Sequence, residues 1–261
     1  MKRPTMDLNC DLGESFGAWR MGDDEAVMPY ISSANIACGY HAGDPGTMAR
    51  TVALALRANV ALGAHVSLPD LAGFGRREMR ISADEAYAMT LYQIGALAAF
   101  ARAAGARLSH VKPHGALYTM AARDATLAEA IARAVLAFDR SLRLVGLAGS
   151  ELPRAGERAG LPVAHEAFAD RRYETDGSLV ARREADAVID DVDEAVAQAL
   201  ALARGEPIAT RGGAPLHVRA DTICVHGDRA DAGRFAHRLH AALRGAGIAI
   251  ANPAPRNGHA S

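Results

Sequence analysis

Short strand-like runs alternate with longer helical ones almost from end to end of this 261-residue chain. That alternation restricts it to a parallel α/β sheet, open or closed into a barrel. The expected strands are Met6–Leu12, Ala34–Cys38, Ala61–His65, His110–His114, Leu142–Gly146, Val163–Ala167 and Thr222–Val225. The expected helices are Pro45–Ala58, Ala83–Ala104, Ala125–Phe138, Ser150–Ala159, Ala187–Arg204 and Ala230–Gly245. Punctuation supports several of them. Ser82 before Ala83, with Glu85 three residues on, is a capping-box pattern. Gly105 and Gly205 stand where glycines close helices. Ile208–Arg219, with Gly212-Gly213 at its middle, reads as a β-hairpin inserted before the last strand. Linker composition is lacking, so residues 1–251 are expected to form one domain and residues 252–261, rich in Pro, Gly and His, a flexible tail.

The polar residues of the strands carry the functional signal. Side chains two apart on a strand share a face, about 7 Å from one another. In the first strand Asn9 and Asp11 therefore share one face, and Leu8, Cys10 and Leu12 point at covering helices. His110, Lys112 and His114 share a face in the fourth strand, and Cys224 with His226 in the last. Asn35 opposes Ala34 and Ile36, and His41 follows in the loop. These groups gather at the C-terminal ends of strands, where barrels and open sheets of this class place their sites. Glycines follow each of them (Gly13, Gly39, Gly115, Gly227) and let backbone approach a ligand closely. A polar core network explains one such strand; four with the same polarity at the same end point to a site.

Composition sharpens one residue. Of 29 basic residues only Lys2 and Lys112 are lysine, so the chain otherwise uses arginine. A lysine inside a strand is costly to bury, and a compact ammonium suits anion binding, proton transfer or covalent work. The structural alternative is a salt bridge to an inward carboxylate. For His114 the alternative is packing. Asp11, His41 and His65 together offer carboxylate and imidazole to a divalent metal, without a compact motif such as HExxH. His226 divides evenly between site and structure. His110 and His165 fall at the opposite strand ends and read as structural; His237, His240 and His259 read as helix-face or tail residues.

The 29 basic and 30 acidic residues give a net charge of −1, which leaves no basic excess for a nucleic-acid partner. No 7–15-residue apolar core follows the N-terminus, and the uncharged run 86–101 is too short to span a bilayer, so no membrane is expected. That run reads as buried core, or as the interface of a homo-oligomer. Cys10, Cys38 and Cys224 are far apart and odd in number, which suits reduced, buried thiols in the cytoplasm. There is no GxxxxGK[ST], no GxGxxG after the first strand and no GxSxG.

The segments bearing these polar groups resemble one family. Asp7-Leu8-Asn9-Cys10-Asp11-Leu12-Gly13-Glu14 is similar to its DLNxDLGE opening, Ser33–Asp44 to its SANIACGxHAGD block, and His110–Tyr118 to HVKPHGALY. Phe168-Ala169-Asp170-Arg171 and Asp221–Asp228 resemble two later blocks. The family is LamB/YcsF, and the resemblance runs over residues 6–250, departing at Val66, where proline is frequent in the pattern. It implies a distorted seven-stranded (β/α) barrel similar to glycoside hydrolase and deacetylase barrels. It also implies cleavage of 5-oxo-L-proline to L-glutamate coupled to ATP hydrolysis, in concert with 5-oxoprolinase subunits B and C.

Under that reading Asp11, Lys112 and His114 are the candidate catalytic residues. Lys112 stabilises phosphoryl or oxyanion charge, and Asp11 or His114 positions or deprotonates water. Asn9, Asn35, His41, His65, Arg171 and His226 are the candidate substrate contacts, with Arg171 clamping a carboxylate. ATP, with Mg2+, is a co-substrate, held in an unrecognised mode or by a partner, and no tightly bound cofactor is expected. Two alternatives remain open. One is a metal-dependent amide hydrolase or deacetylase using Asp11, His41 and His65; the other is a non-catalytic subunit that delivers substrate.

Overall fold

The computed structural model describes residues 4–225 and 231–252. The strands, in chain order, are β1 (Thr5–Leu12), β2 (Ser33–Ala37), β3 (Ala61–Val66), β4 (His110–Pro113), β5 (Arg143–Leu147), β6 (Val163–Phe168), β7 (Ile208–Ala209), β8 (Pro215–Leu216), β9 (Thr222–Val225) and β10 (Ala249–Ile250). The helices are α1 (Asp24–Val27), α2 (Pro45–Arg57), α3 (Ala83–Ala103), α4 (Gly115–Arg123), α5 (Ala125–Phe138), α6 (Glu151–Arg158), α7 (Val192–Arg204) and α8 (Ala232–Gly245).

Seven strands pair in parallel in the order β1-β2-β3-β4-β5-β6-β9, and β9 returns to β1, so the sheet closes into a barrel. β10 pairs with Thr5 and Met6, below the residues of β1 that pair with β2 and β9. β7 and β8 form the expected antiparallel hairpin. Closure removes the sheet edges and gives the strands two unlike faces. Leu8, Leu12, Ile36, Val111, Leu144 and Ile223 belong to the apolar core, which also takes in Val52, Ile94, Leu97, Ile131, Phe235 and Leu239 of the helices. The opposite faces of the strands turn inward and are polar.

Helix ends follow the local code. Asp44, Asp124 and Asp191 accept hydrogen bonds from the first turns of α2, α5 and α7. Ser82 and Glu85 form the full capping box of α3, and Gly205 closes α7 in the left-handed region. Two expectations shift. α7 starts at Val192 rather than Ala187, because Asp191 caps it and residues 187–191 are extended toward Arg171. The fourth strand stops at Pro113, and His114 is the N-cap of α4, a short helix not expected from the sequence. Asp124 both ends α4 and caps α5, so two helices stand where a one-helix crossover was expected. The run 86–101 lies in α3, which packs on α5 and β3 and buries Gln93 against the Ser67 backbone. Among the described residues no helix is long and apolar enough to cross a membrane. Of the expected tail, Asn252 donates to Ser33 Oγ at 3.0 Å, and residues 253–261 lie outside the described residues.

The lower barrel interior is a closed polar network. Asp7 accepts from the hydroxyls of Ser32, Ser33 and Thr222, each at 2.6 Å, while burial pushes its carboxyl pKa up. Register places Asp11 beside Asn35, Asn35 beside Gly63, and Gly63 beside His110. His110 donates from Nε2 to Asn35 Oδ1 at 2.8 Å, and its ring occupies the space that a side chain at residue 63 would need. Gly63→Ala is therefore expected to lose about 1–3 kcal/mol of stability by overpacking; urea unfolding measures it, and an unchanged midpoint refutes the close fit. Burial also holds His110 neutral, with its pKa down at about 3. Unfolded histidine takes a proton near pH 6.5, so folding loses stability as pH falls from there toward 3. His110→Gln keeps a donor for Asn35 and should reduce that slope by about one proton, roughly 1.4 kcal/mol per pH unit; urea midpoints across this range supply the comparison.

Candidate functional site

A cavity of about 370 Å³ opens at the C-terminal ends of the strands. Asp11, His65, Lys112 and His114 line it, with Glu14, Tyr118 and Phe168. Arginines 76, 123, 171, 182 and 183 surround them.

Lys112 crosses the barrel interior from β4. Its Nζ lies 2.9 Å from Asp11 Oδ1, 2.8 Å from Glu166 Oε1, 3.2 Å from Asn9 Oδ1 and 3.1 Å from Cys224 Sγ. Three N–H bonds thus face four acceptors, and the Phe168 ring sits 5.7 Å away. Burial alone would lower the lysine pKa, but the Asp11 and Glu166 carboxylates outweigh it and hold the ammonium charged well above its ordinary range. Lys112 is therefore a fixed cation, not a free amine for covalent work. Burial would raise the Asp11 pKa, yet His65 and Lys112 pull it well below the usual carboxylate range. Asp11 is ionised at neutral pH and retains 12% side-chain exposure to the cavity. Glu166, fully buried, also accepts from Tyr118 Oη at 2.7 Å and Asn9 Nδ2 at 3.0 Å.

A second cluster stands beside it. The loop after β1 turns at Gly13 (φ +68°), whose N–H is held by Asp24, and this swings Glu14 back over the barrel. His41 arrives from the loop after β2, where Gly43 packs against the Ala37 carbonyl too closely for any Cβ. His65 is the penultimate residue of β3. His65 Nε2 is 2.9 Å from His114 Nδ1 and 3.2 Å from Asp11 Oδ2. Its Nδ1 faces the Lys112 carbonyl at 2.9 Å, and His114 Nε2 faces the Phe74 carbonyl at 2.8 Å. The His41 and His114 rings stack at 3.9 Å, and burial pushes both pKa values well down. Phe74 (φ +55°) and Gly75 (φ +64°) form a strained turn that presses the Phe74 ring edge-on against both.

Asp11, Lys112, His114, His65 and Arg171 thus line the cavity, whereas Asn9, Asn35 and His41 stand behind those residues and position them. Arg171 spends two donors on the carbonyls of Val180 and Ala187, and burial lowers its pKa to about 10. His226 lies outside the described residues. Of the expected metal candidates Asp11, His41 and His65, the two histidines fall in a converging group. The group that converges is Glu14, His41, His65 and His114, with donor atoms all within 4.8 Å of one another. Asp11 stands at its edge, with Oδ1 held by Lys112 and Asn35 and Oδ2 3.2 Å from His65 Nε2. Glu14, Glu166 and Tyr118 join the site without being expected from the sequence. A charged residue inside the apolar run 163–168 was the available signal for Glu166. Cys224, which reads in the sequence as a plain core thiol, borders the ammonium.

Fold and site together define a parallel α/β barrel whose charged interior opens into one cavity at the C-terminal ends of its strands. Similarity to known proteins narrows this class. The LamB/YcsF family model matches residues 6–258, and the chain belongs to that family. A protein of Methylococcus capsulatus, named as the A subunit of 5-oxoprolinase, is 59% identical over 247 residues, 95% of each chain. One of the same name from Geobacillus thermodenitrificans is 57% identical, over 94% of this chain and 96% of its own. The crystal structure of a lactam utilization protein from Thermus thermophilus superposes with a TM-score of 0.90 at 46% identity, covering 95% of this chain and 99% of that one.

Removing the ammonium leaves two carboxylates facing each other across a dry interior. Lys112→Met should cost about 3–5 kcal/mol. The double variant Lys112→Met/Glu166→Gln should regain part of that loss, as read by urea unfolding of both. A single variant as stable as the parent chain would show that the pair bears no strain of this kind.

Proposed function

We propose that this chain is the lactam-opening subunit of an ATP-dependent 5-oxoprolinase, converting 5-oxo-L-proline to L-glutamate together with partner subunits B and C. The observation that carries the reading is the fixed pair of Lys112 and Asp11 at the floor of a cavity rimmed by arginines. Its size suits a five-membered lactam carrying a carboxylate, and its rim suits anions. The relatives named above, at 57–59% identity, supply the substrate.

A lactam carbonyl is a poor electrophile. Phosphorylation of the amide oxygen makes that carbon open to water. Protonation and departure of the ring nitrogen then leave an acyl phosphate, which water hydrolyses to glutamate and phosphate. Each step gathers negative charge near the reacting carbon, and the preorganised Lys112 ammonium supplies opposing field without reorganising. Asp11, ionised and facing the cavity, orients the water. Its low pKa makes it a weak base, so positioning outweighs proton abstraction. His114 Nε2 is held by the Phe74 carbonyl and its Nδ1 faces His65, so the geometry favours Asp11 over it for this role. Arg171, with the neighbouring arginines, attracts the substrate carboxylate or a phosphoryl group. The chain carries no Walker loop, so the nucleotide is held in another mode or by a partner.

The test is a reconstituted assay with candidate B and C proteins, following glutamate and ADP from 5-oxoproline with each subunit omitted in turn. Glutamate release should require this chain. Asp11→Asn should lower coupled turnover about 10²-fold through lost positioning, and Lys112→Ala at least as far. Full turnover by Lys112→Ala, or without this chain, overturns the assignment.

A further inference from the structure

We propose that the chain binds one divalent transition-metal ion in six-coordinate geometry, through His65 Nε2, His114 Nδ1 and Glu14 Oε1. The proposal concerns binding and does not rest on the lactam reading.

Hydrogen-bond chemistry leads to it. A backbone carbonyl only accepts, so His65 must carry its proton on Nδ1, toward the Lys112 carbonyl, and His114 on Nε2, toward the Phe74 carbonyl. In neutral rings the other two nitrogens then bear lone pairs. Those lone pairs face each other across 2.9 Å, the Asp11 carboxylate lies 3.2 Å from His65 Nε2, and the arrangement needs a positive centre to hold it. Carbonyls that fix the outer N–H of paired imidazoles are the usual support behind metal ligands.

Ring geometry selects the ligands. The His65 and His114 planes cross at 84°, so one ion can lie in both. A separation of 2.9 Å subtends about 90° at an ion about 2.1 Å from each nitrogen. That is a neighbouring pair of an octahedron, whereas a tetrahedral pair would stand about 3.4 Å apart at the same bond length. His41 is excluded as a third imidazole. Its ring stacks on His114 at 3.9 Å and 8°, and an ion in one plane lies far outside the other. It faces Glu14 Oε1 from Nε2 at 3.3 Å and so aims the carboxylate, which is 3.6 Å from His114 Nδ1. The buried Nδ1 of His41 has no hydrogen-bond partner.

The competing occupant is a shared proton. Both rings are buried, and each already spends its outer N–H on a backbone carbonyl. Two imidazoles and one carboxylate select manganese, iron, cobalt, nickel or zinc over magnesium or calcium. All three ligands line the cavity, so the remaining coordination positions open toward it.

The full chain, stripped with chelator, is titrated calorimetrically with Mn2+, Co2+ and Zn2+ in turn, and the Co2+ form is examined by visible absorption. One ion per chain and the weak absorption of six-coordinate cobalt are expected. Glu14→Gln, nearly isosteric, and His65→Gln should each weaken affinity at least tenfold, with circular dichroism confirming the fold. His165→Gln, remote from the cluster, should leave affinity unchanged. No uptake by the parent chain, affinity indifferent to both ligand substitutions, or the intense absorption of tetrahedral cobalt overturns the proposal.

Discussion

The charge on Lys112 governs the interior of this barrel. An ammonium buried among two carboxylates, an amide oxygen and a thiol is stable only if every partner is in place. Meeting that condition requires β1, β4, β6 and β9 to deliver Asp11, Lys112, Glu166 and Cys224 to one point. An interior of branched apolar side chains would pack with far looser demands on register. Here a shift of one residue in any of these strands turns its polar side chain outward and leaves a buried charge unpaired.

The polar groups beneath are the support for that point. Asn9 joins Lys112, Glu166, Thr222 and Asn35; Asn35 joins Asn9, Asp11 and His110; Thr222 passes the chain of hydrogen bonds to Asp7. Each amide uses both its donor and its acceptor, so the network has one self-consistent orientation. The histidines beside it are held in the same manner, by backbone carbonyls on one side and by stacking against His41 and Phe74 on the other. The strained turn at Phe74 and Gly75 belongs to this arrangement, since its carbonyl orients His114. Substrate would therefore meet groups already fixed in direction, which is the condition for electrostatic catalysis.

Much of this was legible in the chain itself. Strand parity told that Asn9, Asp11, Lys112 and His114 would share the inner side, because alternation along a strand is a local property. Capping residues placed most helix ends for the same reason. α4 escaped because Asp124 serves two helices, and the start of α7 was displaced because Asp191 is both the end of a loop and a cap. Glu14 carried no local sign of its destination: its position follows from the Gly13 turn and the Asp24 contact, which comes from eleven residues onward.

By itself, then, the sequence determined the alternation of elements, the polarity of each strand face and the singular status of Lys112. These depend on neighbours within a few residues, where backbone geometry alone decides. Which groups meet was left to the closed barrel. Asp11 and Lys112 are 101 residues apart, and Asn9 and Glu166 are 157 apart. Their contacts run across the interior, so they depend on strand order and register around the whole barrel. The same closure joined Glu14 to His65 and His114, a meeting that no spacing in the chain expresses.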